Sequence, residues 1–158
     1  MTLMMQRRLF LKASLSSGLI GTAAAAGLLT PQHVIARWDQ TAFDSNKVDD
    51  ALMNSHGSSD AEMSVAIHID APDVAADGST VPVNITTTLP NVESITVLAE
   101  KNPRPLCSIF RPGPGIRSKV GIRIKMGKSA DVIAVVKSDE KLFMTRRAIK
   151  VTVSGCAA

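Results

Sequence analysis

The chain has 158 residues, of which 45% are hydrophobic and only 3% aromatic, and its formal net charge is +4. This composition fits one folded domain or a small pair and excludes wholesale disorder. The few aromatic residues argue against a stacking platform for single-stranded nucleic acid. Two Cys and three His are too few for a closed structural zinc site or an iron–sulfur cluster. We therefore expect no nucleic-acid partner, no metal and no cofactor.

The first 36 residues have the organisation of a bacterial export signal. Arg7 and Arg8 precede an apolar pair and Lys12, and an uncharged run over residues 13–29 leads to small residues before position 37. This order is typical of a twin-arginine signal peptide. A membrane anchor is the alternative, but the run is short and only weakly apolar. We expect residues 1–36 to be removed, with export to the periplasm and no membrane anchor in the mature protein.

Most of the net charge belongs to this segment. Without residues 1–36 the chain keeps fifteen basic and fourteen acidic residues, and these are unevenly divided. Residues 37–100 carry eleven acidic and two basic residues, whereas residues 101–158 carry three acidic and thirteen basic ones. The two halves could neutralise each other, or the second could offer a basic face to an anion or an acidic partner. The residues considered for that face are Arg104, Arg111, Arg117, Lys119, Arg123 and Lys125.

Apolar residues at helical spacing predict a short helix over residues 46–55, within an N-terminal segment of residues 37–57. We expect Asp44 or Ser45 to cap the start of this helix and Gly57 to end it.

After Gly57 the apolar residues change to the alternation of β-strands. The first run includes Met63 and Val65, and His68 falls on the outward side of it. Almost wholly apolar residues 131–136 predict a central strand. The predicted strand segments are 63–69, 81–85, 94–99, 106–110, 120–126, 131–136, 142–145 and 149–153. They predict an all-β fold over residues 58–153, an immunoglobulin-like β-sandwich of about seven strands preceded by a short helix.

The last five residues form a predicted flexible arm with one thiol: Ser154, Gly155, Cys156, Ala157 and Ala158. Cys156 follows the last strand by three or four residues, about 10–14 Å if extended, which suits a group that enters another protein's cleft. Only its thiolate is nucleophilic.

Other interpretations stay open for the two cysteines. Cys156 could be an idle thiol, half of a disulfide with Cys107, or the nucleophile of an enzyme that has a nearby base. Cys107, on the same face of its strand as Ile109, is predicted to be a small buried hydrophobe.

Five segments in order, followed by the Cys near the carboxyl end, resemble the SoxY family of the bacterial thiosulfate-oxidising Sox system. The likeness spans about residues 40–158. The segments are 77–83 (DGSTVPV), 99–103 (AEKNP) with Pro105, 123–128 (RIKMGK), 132–136 (VIAVV) and 151–153 (VTV).

The resemblance implies a carrier and not an enzyme, with no catalytic residue of its own. Cys156 corresponds to the cysteine that binds thiosulfate-derived intermediates covalently, and Ser154, Gly155, Ala157 and Ala158 correspond to its carrier arm. The implied partners are a SoxZ-like β-sandwich subunit in a heterodimer and, transiently, Sox-type haem, hydrolase and dehydrogenase enzymes. The family's tail is typically Gly-Gly-Cys-Gly-Gly, whereas this chain has Ser-Gly-Cys-Ala-Ala. The alternative is a periplasmic β-sandwich interaction module whose cysteines are structural or idle.

Overall fold

A computed structural model describes residues 39–113 and 118–152. The chain divides into the units Met1–Arg37 and Trp38–Ala158, and all described residues belong to the second. The predicted signal segment therefore lies outside the described residues. In the described ranges, no helix has both the length and the apolar character needed to cross a bilayer.

In the described part of the chain, two helices precede the strands. Helix α1 spans Gln40–Asp44 and begins at Asp39, whose carboxylate accepts a hydrogen bond from the Ala42 amide. Helix α2 spans Val48–His56, and it ends at Gly57 in the left-handed conformation, with φ of 79°. The prediction for Gly57 is confirmed, because this conformation is strained for residues with a Cβ.

The prediction that Asp44 or Ser45 caps the start of this helix is wrong. Helix α2 begins after Lys47, with no hydrogen bond from a capping side chain. Ser45 instead ends α1, and its hydroxyl accepts a hydrogen bond from the Asn54 side chain at 3.0 Å.

The strands form two sheets, and the fold is the predicted immunoglobulin-like β-sandwich. The large sheet has the order β1-β9-β8-β5-β6, with β3 also paired to β9, and the small sheet has the order β2-β4-β7. The chain changes sheet at every connection between consecutive strands except those between β5 and β6 and between β8 and β9. The strands are β1 (Glu62–Met63), β2 (Ile67–Asp70), β3 (Val74–Ala75), β4 (Val81–Thr87), β5 (Val92–Ala99), β6 (Leu106–Phe110), β7 (Lys119–Ile124), β8 (Ala130–Ser138) and β9 (Lys141–Val151).

The main core lies between the two sheets. Alternate residues of β4 and of β7 face alternate residues of β5 and β8, as the period-two pattern requires. The fully buried members include Val81, Val83, Ile85, Ile95, Val97, Val132, Ala134 and Val136. His68, on β2 between two buried isoleucines, is exposed as predicted.

A second cluster covers the other face of the large sheet. Ala51 and Leu52 of α2 pack with Leu98 of β5 and Ile133 and Val135 of β8. Strands β5 and β8 are therefore buried on both faces, which explains why residues 132–136 form a continuous apolar run.

The first predicted strand is shorter than expected. Strand β1 contains only Glu62–Met63, and β2 begins at Ile67. Met63 is 69% exposed and Val65 fully exposed, so these apolar residues do not enter the core. The alternation of residues 63–69 thus indicates a core face only from Ile67 onward.

Candidate functional site

The predicted carrier arm, including Cys156, Ser154, Gly155, Ala157 and Ala158, lies outside the described residues. The last described residue is Thr152, directly after β9. The structure therefore describes the place from which the arm departs, and the following paragraphs build that place from its contacts.

The end of β9 is held from both sides. The Val151 amide donates to the Ser129 hydroxyl at 2.9 Å, so a side chain continues the ladder just before β8 begins. On the other side, the Thr152 amide donates to the carbonyl of Ala75 at 3.0 Å, and the Thr152 hydroxyl donates to the same carbonyl at 3.3 Å. Hydrogen bonds thus anchor the chain through Thr152.

The turn after β3 packs closely against this end of β9. The Gly78 carbonyl accepts a hydrogen bond of 2.7 Å from the Met126 amide. A Cβ at position 78 would collide with the Met126 carbonyl oxygen and would lie 2.7 Å from Cγ1 of Val151. A side chain is therefore excluded at Gly78 for lack of space.

The Asp77 carboxylate organises the same turn. It accepts hydrogen bonds of 2.7 Å from both the hydroxyl and the amide of Ser79. These bonds hold the pKa of Asp77 below its usual value, with the hydroxyl contributing more than the amide.

A third loop joins through an asparagine side chain. The Asn102 amide group donates to the Lys125 carbonyl at 2.7 Å, and its oxygen accepts from the Gly127 amide at 3.0 Å. The loop after β5 and the loop after β7 are thereby tied together. We call residues 75–80, 99–105, 125–129 and 150–152 the arm-root cluster. Four of the five segments that carry the family resemblance contribute to this cluster.

The arm-root cluster presents four exposed lysines: Lys101, Lys125, Lys128 and Lys150. Within the described residues none of them forms an ion pair, because the five ion pairs there use Arg104, Lys137 (twice), Arg146 and Arg147. Sequence analysis missed three of these four, since only folding brings the two loops that carry Lys101, Lys125 and Lys128 to the end of β9.

The basic face considered from the sequence is not a single surface. Arg104 pairs with Asp44 at 3.2 Å, so part of its charge is neutralised locally. Lys119 and Lys125 lie at opposite ends of β7, and Arg111 follows the far end of β6. Arg117 lies outside the described residues.

Cys107 lies at a β-bulge, which corrects one prediction. The pairing of β5 with β6 shifts between Val97 and Leu98, so that Cys107 has no direct partner. Cys107 consequently packs against the core between the sheets, whereas Ile109 packs against the cluster beneath the helices. The two side chains do not share a face, because a bulge inserts one residue and reverses the alternation.

The Cys107 thiol is free and half-buried, which fits the predicted role of a small hydrophobe. It lies 3.5 Å from the carbonyl oxygen of Pro105. Burial raises the pKa of Cys107 to about 11, so the thiol is protonated at neutral pH and is a poor nucleophile.

A small polar cavity lies at the opposite end of the large sheet. It has a volume of about 250 Å³ and is lined by Ser55, His56, Glu93, Ser94, Arg111 and Lys137. The His56 ring nitrogen Nε2 is 2.8 Å from the Thr96 hydroxyl. Burial lowers the pKa of His56, and the charges of Arg111 and Lys137 lower it further.

No group of three potential metal ligands among His, Cys, Asp and Glu occurs in residues 39–113 and 118–152. His56 and Cys107 in particular serve packing and local hydrogen bonding.

Comparison with known proteins identifies the family of this chain. Residues 52–156 match the model of the sulfur oxidation protein SoxY, which is about two thirds of the chain and ends at Cys156. The chain belongs to the SoxY family. Among solved structures, the SoxY sulfur carrier protein from Chlorobium limicola f thiosulfatophilum is 34% identical, with a TM-score of 0.62, and the match covers 68% of this chain and 97% of that one.

More distant comparisons add no functional information. A superoxide reductase (neelaredoxin) from Ignicoccus hospitalis matches 55% of this chain and 80% of its own, at 19% identity and a TM-score of 0.49. No curated protein sequence matches the chain significantly. The arm-root cluster thus belongs to a SoxY-family sandwich, and membership of this family supports a sulfur-carrier role.

Proposed function

We propose that this SoxY-family protein carries thiosulfate-derived sulfur covalently on Cys156 and presents it to partner enzymes of the Sox type. The observation that carries the proposal is the family match, which extends through residue 156 and so includes the thiol. The arm-root cluster supports it, because hydrogen bonds hold the chain through Thr152, four residues before Cys156.

The attachment step is an oxidation. The Cys156 thiol loses its proton to solvent, and a new S–S bond forms between its sulfur and the terminal sulfur of thiosulfate. Two electrons leave in this step, and a haem enzyme partner accepts them. The product is a thiosulfonate, Cys–S–S–SO₃⁻, from which hydrolysis by a second partner releases sulfate and leaves a persulfide on the carrier.

The surroundings of Cys107 argue against it as the attachment point. The Cys107 thiol is buried against the core and its pKa is raised, so the thiolate that attachment requires is scarce there. A thiol outside such a core keeps an ordinary pKa near 8.5 and has a few per cent thiolate at neutral pH.

The test is loading with thiosulfate in the presence of the Sox haem enzyme, followed by mass analysis of the C-terminal peptide. We expect an adduct that is lost in Cys156→Ser and kept in the matched variant Cys107→Ser. An unmodified Cys156 with every reduced sulfur compound tried would refute the carrier role. That result would favour an interaction module with idle cysteines.

The heterodimer with a SoxZ-like subunit is part of the proposal. Met63 and Val65 project from the chain beside β9 with exposed fractions of 69% and 105%, and Val74 beside the same strand is 55% exposed. A partner that covers this edge would remove apolar surface from water. Co-expression with such a subunit should give a single heterodimer peak in size-exclusion chromatography, and two separate monomer peaks would count against the pair.

Periplasmic location by twin-arginine export is likewise proposed, on the evidence of Arg7 and Arg8. Replacing both arginines by Lys should leave the protein in the cytoplasmic fraction with its signal uncleaved. Normal appearance of the double variant in the periplasmic fraction would contradict this route.

A further inference from the structure

The arm-root cluster contains more positive charges than the ion pairs of the described residues neutralise. Its four lysines are exposed and unpaired in the part of the chain that the structure describes, and they come from two loops and from the end of β9. The acidic residues of this region are largely engaged: Glu100 lies 3.5 Å from Arg146, and Asp73 lies 2.9 Å from Arg147. Counting Asp77 and Asp131 against the four lysines leaves two uncompensated positive charges.

Hydrogen bonds fix the backbone next to each lysine. The backbone carbonyl of Lys125 accepts a hydrogen bond from the Asn102 side chain, which places Lys101 and Lys125 in adjoining loops. The Ser129 hydroxyl accepts a hydrogen bond from the Val151 amide, which places Lys128 and Lys150 next to the end of β9. The four charges are therefore held around the origin of the arm and do not drift with a free segment.

The arm keeps Cys156 within the field of these charges. Cys156 is four residues beyond Thr152, so its Cα atom lies at most about 14 Å from the Cα atom of Thr152. The Debye length is about 30 Å at 0.01 M ionic strength and about 8 Å at 0.15 M. The lysines therefore act on anions approaching the thiol wherever the arm points, strongly at low salt and weakly at physiological salt.

We propose that Lys101, Lys125, Lys128 and Lys150 select negatively charged sulfur compounds for Cys156 by concentrating anions around the base of the arm. The inference rests on the proposed function in taking Cys156 as the attachment point. Its physical basis is that clustered charge of one sign raises the local concentration and the association rate of oppositely charged reactants. Thiosulfate and the thiosulfonate adduct are both anions, whereas neutral thiols and disulfides gain nothing from the lysines.

Thiol–disulfide exchange with two synthetic reagents tests the selection without any partner enzyme. Dithiobis(nitrobenzoate) is a dianionic aromatic disulfide, and dithiodipyridine is a neutral one. In each reaction the Cys156 thiolate attacks one sulfur of the reagent, the reagent's S–S bond breaks, and an aryl thiolate leaves. The ratio of the two rate constants, anionic over neutral, cancels the fraction of Cys156 present as thiolate and isolates the attraction of the anion.

The variant is the pair Lys128→Gln and Lys150→Gln, and the matched control is the pair Lys119→Gln and Lys141→Gln. Both pairs remove two exposed lysines that form no ion pair with another described residue, but Lys141 is ten residues from Val151 along β9, about 33 Å. For a dianion about 10 Å from two lysines, the ratio should fall about sevenfold at 0.01 M salt and about twofold at 0.15 M. The control pair should change it less than about 1.5-fold.

Two controls keep the result interpretable. Cys156→Ser supplies the background reaction of Cys107, and a thermal melt of each variant shows that the sandwich is intact. A ratio that falls in the arm-root variant and recovers at high salt supports the selection. An unchanged ratio, or an equal fall in the control pair, overturns it. Normal loading with thiosulfate together with an unchanged ratio would overturn the selection alone and leave the carrier role standing.

Discussion

Gly78→Ala tests whether the arm-root cluster is as tightly packed as its contacts indicate. The new Cβ would collide with the backbone carbonyl of Met126 and lie 2.7 Å from Cγ1 of Val151. A backbone atom cannot swing away as a side chain does, so the turn at residues 77–79 must move away from the loop at residues 125–127. That movement also breaks the 2.7 Å hydrogen bond between the Met126 amide and the Gly78 carbonyl.

The expected cost has two parts. Overpacking of this kind costs about 1–3 kcal/mol, and the lost hydrogen bond about 1 kcal/mol. Their sum, about 2–4 kcal/mol, corresponds to a fall in melting temperature of roughly 8–16 °C for a domain of about 115 residues. Urea unfolding followed by circular dichroism measures the free energy, and a thermal scan measures the melting temperature.

Gly127→Ala is the matched control. Its Cβ would meet only the Asn102 side-chain oxygen, at 3.9 Å, which is ordinary van der Waals contact. We expect its free energy of unfolding to stay within about 0.5 kcal/mol of the unaltered chain. Equal stability of Gly78→Ala and Gly127→Ala would refute the steric account of Gly78.

Three further predictions concern single side chains. Burial lowers the pKa of His56 in the folded state, so its contribution to stability should be complete above about pH 7 and should fall as pH drops below about 6.5. Urea titrations should show this slope flattened by His56→Gln, and an unchanged slope in that variant would contradict the burial of His56. At pH 7.5, mass spectrometry should find Cys156 alkylated long before Cys107, and equal rates in native protein would contradict the burial of Cys107. Ser129→Ala should speed hydrogen exchange of the Val151 amide and cost about 1 kcal/mol, and an unchanged exchange rate would argue against that bond.

Local sequence patterns predicted the secondary structure and the buried side chains wherever one face of an element meets the core. Alternation in residues 81–85 predicted the buried side chains of β4, and the almost wholly apolar residues 131–136 predicted a central strand. Gly57 was identifiable because a helix end in the left-handed conformation favours glycine whatever the tertiary surroundings. Alternation was misleading at Val65, where the chain turns away from the sheet.

The sequence by itself determined the fold class, the family and the position of Cys156 near the carboxyl end. The tertiary structure decided which other residues belong with the arm. Gly78, Asn102 and Ser129 are far apart in the chain, and only long-range hydrogen bonds bring them to the end of β9. The same holds for the bulge that turns Cys107 toward the core, since it depends on the register between β5 and β6.

The charges illustrate the same division. The net charge of +4 is a property of composition, and most of it belongs to the predicted signal segment. Which lysines act together is a property of loop positions, because Coulomb attraction depends on distance in space and not along the chain. Folding therefore brings Lys101, Lys125, Lys128 and Lys150 to one end of the sandwich. Lys119 and Lys141 lie at the other end.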